Sequence, residues 1–211
     1  MAQILEFPAQ ASKLGYRRVK KRAGPTEDAN QLDLFPGPRA LILNFARDLS
    51  PFEQALLLDE RGDPKAAELY QKAIAEEDCV ADAFCNLGII ESQKGNTIKA
   101  LDCFTTTLKY NPRHSEAHYN LGNLYFDLND FRLAQVHYEV AGEVDPSFAN
   151  AHFNLALVQA INSDPGAAVR ALRKYQELVS KEEGRIAEDL LQDLKKSLAA
   201  AQNSRLGATS S

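Results

Sequence analysis

Asparagine recurs at positions 86, 120 and 154, always followed by Leu87, Leu121 or Leu155. The chemistry such a row offers is recognition rather than catalysis. A side-chain amide carries one acceptor and two donors, which match the C=O and N–H of an extended backbone whatever side chains that backbone bears. Each such bond contributes about 1 kcal/mol net, so three can anchor a peptide without choosing among peptides. The competing reading is that the asparagines satisfy neighbouring backbone within the chain itself. The other residues of chemical interest do not assemble into a reactive set. His114, His118, His137 and His152 are not spaced with Cys, Asp or Glu as a metal site or a triad, and read as packed helix residues. Cys79, Cys85 and Cys103 are odd in number and lack CxxC spacing, which argues against a disulfide framework or a zinc site. No glycine-rich phosphate loop is present. Enzyme activity, a cofactor, a metal and a small-molecule substrate are therefore not expected.

The elements that position the asparagines follow from a period. Residues 86–88, 120–122 and 154–156 read Asn-Leu-Gly, Asn-Leu-Gly and Asn-Leu-Ala, with Ala100, Ala134 and Ala168 following in register at a spacing of 34. Phe84, His118 and His152 open the units, Phe104, Tyr138 and Leu172 fill their second halves, and Pro112 and Pro146 close two of them. A fixed period of this length predicts stacked helix pairs, none able to bury its apolar face alone. A weaker unit runs through Phe52, Ala55, Leu58, Gly62, Ala66, Tyr70 and Ala73, one residue shorter between its glycine and its second helix. Gly88, Gly122 and Ala156 are expected where two helices cross closely.

This pattern resembles the tetratricopeptide repeat family over residues 47–182. The resemblance implies an all-α helix-turn-helix solenoid with repeats at 47–80 (a variant), 81–114, 115–148 and 149–182. It further implies a non-catalytic protein-interaction scaffold whose first helices line a concave groove for an extended peptide. The lining positions it gives are Asp82, Cys85, Asn86, Ile89 and Gln93, then Glu116, Tyr119, Asn120, Asn123 and Asp127, then Asn150, Phe153, Asn154, Leu157 and Ile161. Tyr119, Phe153, Ile89 and Leu157 would be apolar seats, while Asp82, Glu116 and Asp127 would favour a basic or neutral ligand. The asparagine row is similar to the ladder in the repeats of O-GlcNAc transferase. The Lys and Arg of repeat domains that clamp a terminal carboxylate are replaced here, so that mode is disfavoured.

The ends differ in kind. Residues 1–48 carry eight Lys and Arg against five acids, whereas residues 49–211 carry sixteen against twenty-four. Residues 1–40, rich in Pro and Gly, read as a disordered arm. Residues 41–48 read as an apolar lead-in to the repeats. At the other end Ile186, Leu190, Leu194 and Leu198 recur every four residues, the pattern of a capping helix over 183–202, with a frayed tail at 203–211. No apolar run approaches the length of a membrane span and Met1–Pro8 lacks the features of a secretory signal, so a soluble cytoplasmic protein is expected. Within the arm, Gln31, Leu32, Asp33, Leu34 and Phe35 resemble the bacterial sliding-clamp binding pentapeptide. That resemblance implies an alternative function, a replication- or nucleic-acid-associated adaptor, while docking of Leu32, Leu34 and Phe35 on the first repeat is the plainer reading. The basic run Lys13–Arg22 is too short to make nucleic acid the expected partner. It is expected instead to fold back over the acidic inner surface near Asp82, Glu116 and Asp127 and to compete with outside ligands.

Overall fold

The computed structural model describes residues 15–20 and 49–208. Helices α1 (Pro51–Glu60), α2 (Ala66–Ala75), α3 (Val80–Gln93), α4 (Thr97–Tyr110), α5 (Ser115–Asp127), α6 (Phe131–Val144), α7 (Ala149–Ile161), α8 (Pro165–Leu178) and α9 (Lys181–Ala208) follow in order. No strand occurs among the described residues. The fold is all-α, with the first eight helices in pairs.

Local chemistry sets where these helices start and stop. Ser50 and Glu53 close a reciprocal capping box at α1, with Pro51 as the first helical residue. Asp130 and Asp164 accept the Leu133 and Ala167 amides at the starts of α6 and α8. The first helix of each pair ends at a residue of positive φ: Gly62 at 68°, Gly95 at 78°, Asn129 at 60° and Ser163 at 65°. That left-handed turn is what lets the second helix fold back. Glycine fills it without strain in the first two pairs.

The chain forms two compact units, Arg18–Asn111 with α1 to α4, and Pro112 onward together with residues 15–17. In the first unit each helix packs on its neighbour, around Phe52, Tyr70, Ala83 and Leu87. A Cβ added at Gly88 would lie 2.8 Å from the Phe104 ring, so the close crossing read from the sequence is present. In the second unit the same crossing is tighter, 2.5 Å between an added Cβ at Gly122 and the Tyr138 ring. Tyr119, Tyr138, Phe148 and Val158 form one core cluster there. Phe153, Leu157, Leu172 and Tyr175 form another with Leu191 and Leu194 of α9. Helix α9 is thus the expected cap. It runs to Ala208, into the stretch expected to fray, because residues 199–201 are all alanine, the strongest helix former. Among the described residues no helix is long and apolar enough to cross a membrane.

Of the arm, Gly15–Lys20 is described and is not helical. It lies against the repeats, with Val19 buried. The remainder of residues 1–40, the lead-in 41–48 and the pentapeptide Gln31–Phe35 lie outside the described residues.

Candidate peptide-binding site

In the Arg18–Asn111 unit, Asn86 stands midway along α3 and is fully buried. Its Oδ1 accepts the Val19 amide at 2.8 Å and its Nδ2 donates to the Val19 carbonyl at 3.0 Å. The second Nδ2 hydrogen goes to the Tyr70 hydroxyl at 3.2 Å. Tyr70 in turn donates to Asp59 Oδ2 at 3.2 Å, and the same oxygen receives Arg18 Nε at 2.6 Å. Arg18, Asp59, Tyr70, Asn86 and Val19 therefore form one connected network. Burial, and then the neighbouring Asp59 charge, push the Tyr70 phenol above its ordinary range, which keeps it a neutral donor to the carboxylate.

The second unit repeats the device on α5. Asn120 Oδ1 accepts the Arg17 amide at 2.8 Å and Nδ2 donates to the Arg17 carbonyl at 3.0 Å. One turn on, Asn123 Nδ2 donates to the Gly15 carbonyl at 3.3 Å, while its Oδ1 accepts the Tyr138 hydroxyl at 2.7 Å. The Arg17 guanidinium lies over the Phe148 ring, 4.0 Å from its centroid, a favourable cation–π geometry. Tyr16 donates to Asp127 Oδ2 at 3.3 Å. Burial raises the Asp127 carboxyl, and the Tyr16 bond opposes that rise.

Pairing both hydrogen-bonding groups of one residue to one side-chain amide is how a strand would be held by a neighbouring strand. In each unit the amide comes from the first helix of a pair. The family model for the tetratricopeptide repeat matches residues 85–134 and 119–183. The chain belongs to the tetratricopeptide repeat family. Solved tetratricopeptide repeat structures share its fold. A thermophilic repeat protein of Thermus thermophilus is 22% identical, covering 70% of this chain and 81% of its own, with a TM-score of 0.55. A repeat protein of Parabacteroides merdae is 20% identical over 70% of this chain and 59% of its own, with a TM-score of 0.59. The first repeat domain of Spaghetti, bound to the HSP90 peptide SRMEEVD, is 20% identical over 56% of this chain and 93% of its own, with a TM-score of 0.52.

As a tetratricopeptide repeat protein the chain departs from the expected lining at several places. Phe153 and Leu157 are not open apolar seats: both are buried in a core cluster with Leu172 and Tyr175 of α8, with Phe153 5.1 Å from Tyr175. Tyr119 is core as well, packed 4.7 Å from Phe148 and 5.9 Å from Tyr138, and burial pushes its phenol up to about 12. Ile89 and Cys85 are likewise buried. Asn154 Nδ2 donates to the Tyr119 hydroxyl and to Asn123 Oδ1, side chains of the preceding repeat. Asp82 and Glu116 are half-buried, and the Ser115 hydroxyl donates to Glu116. The acids that meet the described segment are Asp127, as expected, and Asp59, which sequence reasoning passed over. The period alone does not reach it: the variant repeat is one residue shorter, so its turn glycine Gly62 stands 33 residues before Gly95 and Asp59 falls in register with Ser92 rather than Gln93.

Proposed function

We propose that this tetratricopeptide repeat protein is a non-catalytic interaction scaffold that holds an extended stretch of polypeptide along the first helices of its repeats. One observation carries the reading: Asn86 and Asn120 each give both faces of their amide to the main chain of a single residue, Val19 and Arg17. Buried amides would otherwise need partners from water or from the protein. Four such bonds, at about 1 kcal/mol each, suffice to hold a short segment without reading its sequence. The Spaghetti repeat domain, which binds a peptide, offers a precedent on the same fold. That peptide, SRMEEVD, is acidic, whereas Asp59 and Asp127 suit the opposite charge here.

Amide hydrogen exchange on the full chain tests the reading. The Arg17 and Val19 amides should be protected in the wild type and exchange at least tenfold faster when Asn86→Ala and Asn120→Ala are combined. Equal exchange in the two proteins would show that the asparagines do not hold the segment.

A further inference from the structure

Main-chain pairing needs no particular side chains, yet the segment's side chains are also accommodated. Asp59 is 5% exposed with the segment in place, and the cation that meets its carboxylate is Arg18, from outside the helices. The Tyr70 hydroxyl offsets part of the desolvation of that carboxylate and the Arg18 cation a further part. The neighbouring Val19 is 1% exposed, so its pocket accepts a compact aliphatic group and would disfavour a charge. In the second unit the Phe148 face receives Arg17 and Asp127 receives the Tyr16 hydroxyl. An acidic peptide or a nucleic-acid phosphate would set like charges against Asp59 and Asp127.

Building on the reading above, we infer that the Asn86 site of the first unit accepts an extended Arg-aliphatic pair from a basic segment of a partner protein, and that Arg18-Val19 is a resident copy which that partner must displace. Covalent tethering gives the resident copy an effective concentration on the order of millimolar, so the free chain is mostly self-occupied. A partner gains access by matching the same contacts at high local concentration or by drawing the arm away.

The test uses the full-length chain and a fluorescein-labelled peptide of residues 13–22. Arg18→Glu with Val19→Asp should eject the resident copy, and this variant should bind the peptide at least tenfold more tightly than the wild type. Val19→Asp alone serves as a second opening variant, and thermal melting establishes that both remain folded. Adding Asp59→Asn to an opened variant should weaken binding again, and a peptide with Arg17 and Arg18 replaced by Glu should not bind. Equal affinity of wild type and opened variants would overturn the resident role while leaving peptide binding intact. Tight binding of the acidic peptide would overturn the basic class. Failure of every opened variant to bind at millimolar peptide would overturn the functional reading as well. Competition that grows with protein concentration would assign the occupied site to a second copy of this chain, against the proposal.

Discussion

At the scale of single residues, repeat position does not decide what a side chain does. Asn154 occupies the place of Asn86 and Asn120, yet its Nδ2 donates to the side chains of Tyr119 and Asn123 in the repeat before it. The recurrence of asparagine was legible in the sequence; its orientation was not, since that depends on residues 31 and 35 positions away. The histidines carry a related lesson. His118 Nε2 lies 3.1 Å from the Pro112 carbonyl, which requires an N–H there, so its Nδ1 is the acceptor of the 3.1 Å contact with His137 Nδ1. Protonating His118 would set two N–H groups against each other. Burial lowers His118 and takes His137 from 6.5 to about 4. The unfolded chain therefore binds more protons than the folded one between those values. Stability should be full above about pH 6.5 and fall as the pH drops toward 4. Denaturant midpoints measured across that range should decline for the wild type and decline less for His137→Gln.

At the scale of elements, the places where helix pairs turn and cross were the most legible, because they constrain residue type most. Gly88 and Gly122 were readable as crossings from spacing alone, and both are tight enough to exclude a methyl group. Gly122→Ala should destabilise by about 1–3 kcal/mol through overpacking, because the Tyr138 ring it would strike is also held by its hydroxyl bond to Asn123. A lowered melting temperature with unchanged helical circular dichroism is the expected result. The turns behave in the opposite sense. Ser163 holds a φ of 65° without the freedom of glycine, at a cost of roughly 1 kcal/mol. Ser163→Gly should therefore raise the melting temperature, and no gain would mean that other contacts of Ser163 offset the relieved strain. Less legible was the depth of the lining. A helix face reads as open in a repeat unit taken alone, and only the assembled cluster with Leu172 and Tyr175 shows that Phe153 and Leu157 are buried.

At the scale of the whole molecule, the sequence showed a basic arm and an acidic body, and electrostatic fold-back was the natural expectation. The structure shifts the weight of that contact from charge to main chain. Four amide bonds to Arg17 and Val19 contribute about 4 kcal/mol together, whereas a part-exposed pair such as Arg18 with Asp59 adds about 1 kcal/mol or less. Raising the salt from low to high concentration should consequently speed exchange at the Val19 amide only a few-fold. Collapse of protection at high salt would restore charge as the main cause. This docking was not legible as geometry, because the arm has no hydrophobic period and its partners lie 41 to 111 residues away. Nothing local in Gly15–Lys20 announces that it docks on the repeats.

The buried valine also has a consequence for alignment. Arg17, Arg18, Lys20, Lys21 and Arg22 form a run of near-equivalent cations, and main-chain pairing by itself would accept that run in several frames. A slip of one residue in an extended chain turns every side chain to the opposite side and would bring a lysine or an arginine to the pocket that now encloses Val19. A single aliphatic side chain thus works as a punctuation mark, and Val19→Lys would leave the arm able to slide among frames where it now holds one.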